Sequence, residues 1–151
     1  MNANNAPTFA AIMFLTGIGI PILAALNAGL GMRLGNPMAA TVLLFASTLL
    51  IAIVGAAVTG SLGAVRLSGD IPLQYYFGGI FMAFYVIAVT FIAPRFGVGN
   101  AIFFVLVGQL VSAAAIDHFG LFGAIPATID ARRIAGIILM VAGVYLARKT
   151  A

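Results

Sequence analysis

A few polar side chains interrupt long apolar runs in this sequence of 151 residues, and any chemistry must be sought among them. Asn27, Tyr85, Gln109 and Ser112 lie inside such runs, and Asp117 closes one. Gln109, Ser112 and Ala113 stand at i, i+3 and i+4, so a helix places them on one face. An amide and a hydroxyl at that spacing can hydrogen-bond a small solute, or they can glue one helix to the next. Asn27 poses the same choice between ligand contact and interhelical bridge. Asp117 could bind a cation or a proton; its alternative is an interfacial ion pair with Arg132 or Arg133. Tyr85, near the middle of its run, needs a partner for its hydroxyl at that depth. Asp130 reads as the N-cap of a last helix, and His118 as an interfacial residue. With no cysteine, one histidine and no paired carboxylates, neither a metal site nor hydrolytic chemistry is supported. The sequence reads as a non-enzyme without a cofactor.

The elements that hold these residues follow from composition. Apolar residues make up 64% of the chain and charged residues 7%, with a mean hydropathy of +1.22. A soluble domain carries roughly 25% charged residues to face water. This chain cannot, so its outer surface must meet lipid. The net charge of +4 comes from basic residues scattered singly or in pairs. Nucleic acid, which needs a basic patch or stripe, is excluded as a partner. The N-terminal segment carries no Lys or Arg, so the first apolar run is expected to be retained as a helix and not removed as a signal peptide.

A crossing needs about 20 apolar residues, and charges punctuate the sequence at nearly that spacing. A single all-α transmembrane domain is expected over residues 1–151, a bundle of five helices at about 9–31, 37–62, 73–93, 98–117 and 130–147. The fifth is short, and Arg132, Arg133, Arg148 and Lys149 would have to snorkel to its ends. Tyr75, Tyr76 and Tyr145 fit interfacial positions. Gly17, Pro21, Ala24, Ala28 and Gly31 form a small-residue stripe that lets a partner helix approach, and Pro21 permits a kink. Gly17, Pro21, Gly31, Gly78, Gly79 and Gly136 are the expected packing or hinge positions. Arg33-Leu34-Gly35 and Arg95-Phe96-Gly97 precede the second and fourth helices as a weak repeat, with Ala39 and Ala101 at the same offset.

Five crossings put the termini on opposite sides. One side then receives Arg66, Arg132 and Arg133, the other Arg33, Arg95, Arg148 and Lys149. Orientation follows the Lys/Arg excess, and this chain has almost none. Insertion in both orientations, with pairing to an inverted copy, is the expectation; the alternative is that other features orient the chain, with a homologous partner of opposite polarity. Transporters built of inverted halves bind substrate at the midplane between them. The chain reads as half of such a ten-helix unit.

The sequence also resembles a known family. The matching residues are Gly19-Ile20-Pro21, Asn27-Ala28-Gly29-Leu30-Gly31, Asn36-Pro37 with Ala39-Ala40, and Pro72. They continue with Gly78-Gly79, Tyr85-Val86, Pro94-Arg95-Phe96-Gly97 and Arg133-Ile134-Ala135-Gly136, with Gly143 beyond. Most distinctive is Gly108-Gln109 leading to Ile116-Asp117-His118-Phe119-Gly120-Leu121. On these residues the chain resembles the YdcZ-like branch of the drug/metabolite transporter superfamily, five-helix proteins of the bacterial inner membrane. Leu23, where many relatives carry glutamine, and Gln74-Tyr75-Tyr76, where tryptophan is common, depart from the pattern. The resemblance implies a multi-pass secondary transporter or exporter of a small organic metabolite or drug, acting as a homodimer or paired assembly. Asn27, Gln109, Ser112, Tyr85 and Asp117 are its candidate substrate contacts. A small dual-topology ion channel and a non-transporting accessory subunit are the alternatives.

Overall fold

In the computed structural model, which describes residues 6–147, regular structure is entirely helical. Among the described residues the α-helices are α1 (Ala6–Arg33), α2 (Pro37–Val58), α3 (Gly78–Phe96), α4 (Val98–Phe119) and α5 (Ala131–Ala147). Short 3-10 turns occur at Leu62–Ala64, Leu73–Phe77 and Leu121–Gly123. Four segments are long and apolar enough to cross a membrane: Ala6–Arg33, Pro37–Val58, Leu73–Phe96 and Val98–Phe119. The expected fifth crossing is not among them. The 17 residues of α5 rise about 26 Å, short of a hydrocarbon core of about 30 Å. Arg148 and Lys149, expected to snorkel at its end, lie outside the described residues.

Backbone chemistry at the turns sets the helix ends. After α1, Gly35 adopts φ +63°, the left-handed conformation that costs glycine nothing. Its N–H donates to the Met32 carbonyl (3.2 Å) and that of Asn36 to Gly31 (3.0 Å), a Schellman closure. Asn36 then caps α2, its side chain accepting from the Ala39 N–H at 3.1 Å, with Pro37 in the first turn. The same closure ends α2 at Val58 instead of the expected Leu62. Gly60 takes φ +69°, and the Ser61 N–H donates to Ala56 at 2.8 Å. The apolar run continues past this point, but the backbone does not. The expected first turn of α3 is a 3-10 turn, and the α-helix begins at Gly78. In the preceding loop the Tyr76 hydroxyl accepts from the Ser68 N–H at 3.1 Å. At its other end α3 runs through Pro94 to Phe96, where Gly97 takes φ +88°.

The chain divides into two compact units, the first ending at Arg95 and the second beginning at Phe96. The first is held by small side chains. Ala24, Asn27, Ala28 and Gly31 bury one face of α1 at the i, i+3, i+4, i+7 spacing, while Ala40 and Thr41 are the buried residues of α2. Val86, Val89, Thr90 and Ala93 repeat that spacing on α3. A Cβ at Gly31 would lie 3.2 Å from Pro37 Cα and 3.3 Å from Thr90 Cγ2, so any side chain here would press the neighbouring helices apart by a few tenths of an ångström. The expected stripe is thus filled only in its C-terminal half. Gly17 is exposed and Pro21 half-buried, and no neighbour comes within 4 Å of a Cβ built at Gly17, Gly78, Gly79 or Gly136. Near the turn, Gly31 lies close to Pro37 and Ala40 of α2; farther along, Leu23, Leu26, Leu43 and Leu44 line a groove between the two helices. The large apolar side chains, such as Phe14, Leu50, Ile51 and Phe84, point outward. Water would reverse that distribution, and lipid tolerates it.

The second unit contains α4 and α5. Gly120, at φ +60°, ends α4, and a Cβ there would meet Pro126 Cγ at 3.1 Å. The loop therefore folds back on the helix end. Asp130 is the N-cap of α5, its carboxylate accepting from the Arg133 N–H at 2.7 Å, and it satisfies one of the free first-turn donors.

Candidate functional site

Asn27 sits about 9 Å from the C-terminal end of α1 at 1.5 Å per residue. It is only 5% exposed, so its amide has left water. Its Nδ2 donates to Thr90 Oγ1 across to α3 at 2.6 Å, and Thr90 in turn donates to the Val86 carbonyl at 2.7 Å. The order of this relay is forced. A threonine hydroxyl has one hydrogen, and Val86 takes it, so the Thr90 oxygen must accept from Asn27. The amide nitrogen is therefore committed to α3, and Oδ1 has no hydrogen-bond partner among the described residues.

Asn27 and Ser47 are the two polar residues that line a groove between α1 and α2. The groove has a volume of 480 Å³ and is lined by Leu23, Leu26, Asn27, Leu30, Leu43, Leu44 and Ser47. That lies in the usual range for small-molecule sites, apolar walls with few polar groups. The Ser47 hydroxyl donates to Leu44 O at 2.8 Å, which leaves its oxygen free to accept. No charged side chain lines this groove. Arg33 lines a neighbouring one with Ala25, Leu26, Gly29 and Leu30.

Tyr85 is half-buried on α3, and its hydroxyl lacks a partner among the described residues. It does not line the α1–α2 groove. In the second unit, Gln109 and Ser112 are exposed on α4. Gln109 falls near the middle of that helix, where an outward amide meets hydrocarbon and needs a partner. Asp117 is occupied: its Oδ2 takes the Arg133 guanidinium at 2.5 Å, with the two side chains 39% and 29% exposed. Arg133 also donates to the Ala127 carbonyl at 3.3 Å, and the Ala127 N–H donates to the Asp117 carbonyl at 2.9 Å. The Ile129 N–H donates to His118 Nδ1 at 3.1 Å. These bonds staple the α4–α5 loop, and Arg133 is one of the two partners raised for Asp117 from its sequence position. The described residues hold no cluster of three potential metal ligands.

Thr90 and Ser47 are the residues of this arrangement that the sequence did not single out. For Thr90 a signal existed: a buried Asn27 requires a partner, and Thr90 shares the small-residue face of α3.

A family model described as "Putative inner membrane exporter, YdcZ" matches residues 8–146. The chain belongs to the YdcZ family. That description concerns an exporter family and not an enzyme family. Together with the four candidate crossings, it makes this YdcZ-family chain a multi-pass protein of the inner membrane. No curated protein and no solved structure matches the chain.

Proposed function

We propose that this protein is a secondary transporter that exports a small organic metabolite or drug, two copies working as an antiparallel pair by alternating access. The observation that carries the reading is the family match over nearly all the described helices. With α5 crossing as a fifth helix, the Lys/Arg count on the two sides is near-equal, three against four, and this supports inverted pairing because it gives insertion almost no direction. Asn27 in the α1–α2 groove supplies a substrate contact. Gln109 and Ser112, exposed on α4, contact either the solute or the second copy, and Tyr85 offers a further hydroxyl. Asp117, held by Arg133, serves the α4–α5 loop first.

Purified protein in proteoliposomes provides the test. Flux of the transported solute saturates and responds to an imposed proton or solute gradient. Rapid electrogenic leakage without countertransport would instead favour the channel. No solute movement above protein-free liposomes under any gradient would refute transport.

A further inference from the structure

We infer that the α1–α2 groove selects an uncharged lipophilic solute that donates one hydrogen bond, and that Asn27 Oδ1 is the acceptor. This rests on the export reading and names its class of solute. Three observations lead to it. First, the Thr90–Val86 relay commits the Asn27 Nδ2 to α3 and leaves Oδ1 without a hydrogen-bond partner among the described residues. Asn27 lines the groove, and an acceptor there with no protein donor gains a hydrogen bond when a ligand supplies one. Second, the other polar lining atom, the Ser47 oxygen, is also left as an acceptor once its hydrogen has gone to Leu44. The groove therefore calls for a donor.

Third, nothing in the groove balances a charge. The first 69 residues contain no Asp or Glu. Asp70 lies in the α2–α3 loop beside Ser68, Asp117 pairs with Arg133, and Asp130 caps α5. A lipophilic cation would lose its hydration against leucine without meeting a carboxylate. An anion would face two acceptor oxygens. A lipid acyl chain fits the leucines but donates nothing, and it would leave Oδ1 unpaired.

The experiment is equilibrium binding to the full-length protein in lipid nanodiscs, with empty nanodiscs subtracted, using three probes. 1-Naphthol is neutral and donates, 1-methoxynaphthalene has the same ring without the donor, and tetraphenylphosphonium is a lipophilic cation. 1-Naphthol is expected to bind saturably and roughly 3–10-fold more tightly than its methyl ether, the span of one neutral hydrogen bond. Asn27→Ala should bring that ratio to about one, and Leu43→Trp, which fills the groove, should weaken both naphthalenes alike. Thr90→Val, which frees the amide to rotate, should lower the ratio while leaving methoxynaphthalene binding unchanged. Equal binding of the two naphthalenes to the unmodified protein, no saturable naphthol binding, or tighter binding of tetraphenylphosphonium would each overturn the inference. Binding is read here without flux. Donor-selective binding by a protein that moves no solute would therefore refute transport and leave the groove's selectivity standing, and saturable flux without donor preference would do the reverse.

Discussion

Replacing Thr90 with valine isolates the contact that joins α1 to α3. Valine has nearly the same shape as threonine, so the packing against Gly31, where Thr90 Cγ2 lies 3.3 Å from a built Cβ, is kept. What disappears is the acceptor for Asn27 Nδ2, now 2.6 Å away, and the donor to Val86 O. A buried donor left unpaired costs about 1–3 kcal/mol, whereas interhelical hydrogen bonds in membranes measure about 0.6 kcal/mol on average and reach about 1.7. Because Asn27 keeps only a twentieth of its surface, the upper part of the membrane range applies. Thr90→Val should therefore cost about 1–2 kcal/mol. The assay is unfolding of the purified protein in mixed micelles, followed by loss of helicity, for Thr90→Val, Asn27→Ala and the double variant. The double variant should be about 1 kcal/mol less destabilised than the sum of the singles, since both remove one bond. Strict additivity, or a Thr90→Val protein within about 0.3 kcal/mol of the parent, would show that the relay does not hold the helices and would refute the reasoning.

Three further perturbations read other parts of the structure. Gly31→Val should destabilise by about 1–3 kcal/mol through overpacking, because its Cβ meets the Pro37 backbone at 3.2 Å; melting temperature in detergent reads it. Asp117→Asn should cost no more than about 1 kcal/mol, as expected for a half-exposed pair, and should leave the pH profile of transport unchanged; a shifted profile would move Asp117 from the loop staple into the coupling machinery. Asp130→Ala removes the α5 cap at Arg133 N and should cost about 1 kcal/mol, seen as faster amide exchange in the first turn of α5.

The helices were legible in the sequence because charges, Pro and Gly punctuate it. Asn36-Pro37 marks the start of α2, and Asp130 was recognisable as the cap of α5. The errors are local and have local causes. Hydrophobicity carried α2 to Leu62, but Gly60 in the left-handed region closes it at Val58. The α1 stripe showed where a helix can be approached closely, yet not where one is: the crossing at Gly31 is filled and Gly17 is bare. Asn27 stood out as a polar residue in an apolar run. Its partner did not, since Thr90 lies 63 residues away and the register between α1 and α3 is set by side-chain shape at the crossing. The α1–α2 groove was illegible for a similar reason. Leucines that look like ordinary lipid-facing residues become its walls only once small residues bring the hairpin together at the turn.

The central proposal is that one chain is half of an exporter made from two inverted copies. Single-cysteine labelling in cells tests it most directly, and the sequence contains no cysteine to remove first. A cysteine at Leu34, in the α1–α2 turn, and another at Leu67, in the α2–α3 loop, would each be treated with a membrane-impermeant thiol reagent added from outside. The account expects each position to label in part before the membrane is breached and fully afterwards, because both orientations coexist. Complete labelling of one position and none of the other would establish a single orientation and contradict the inverted homodimer.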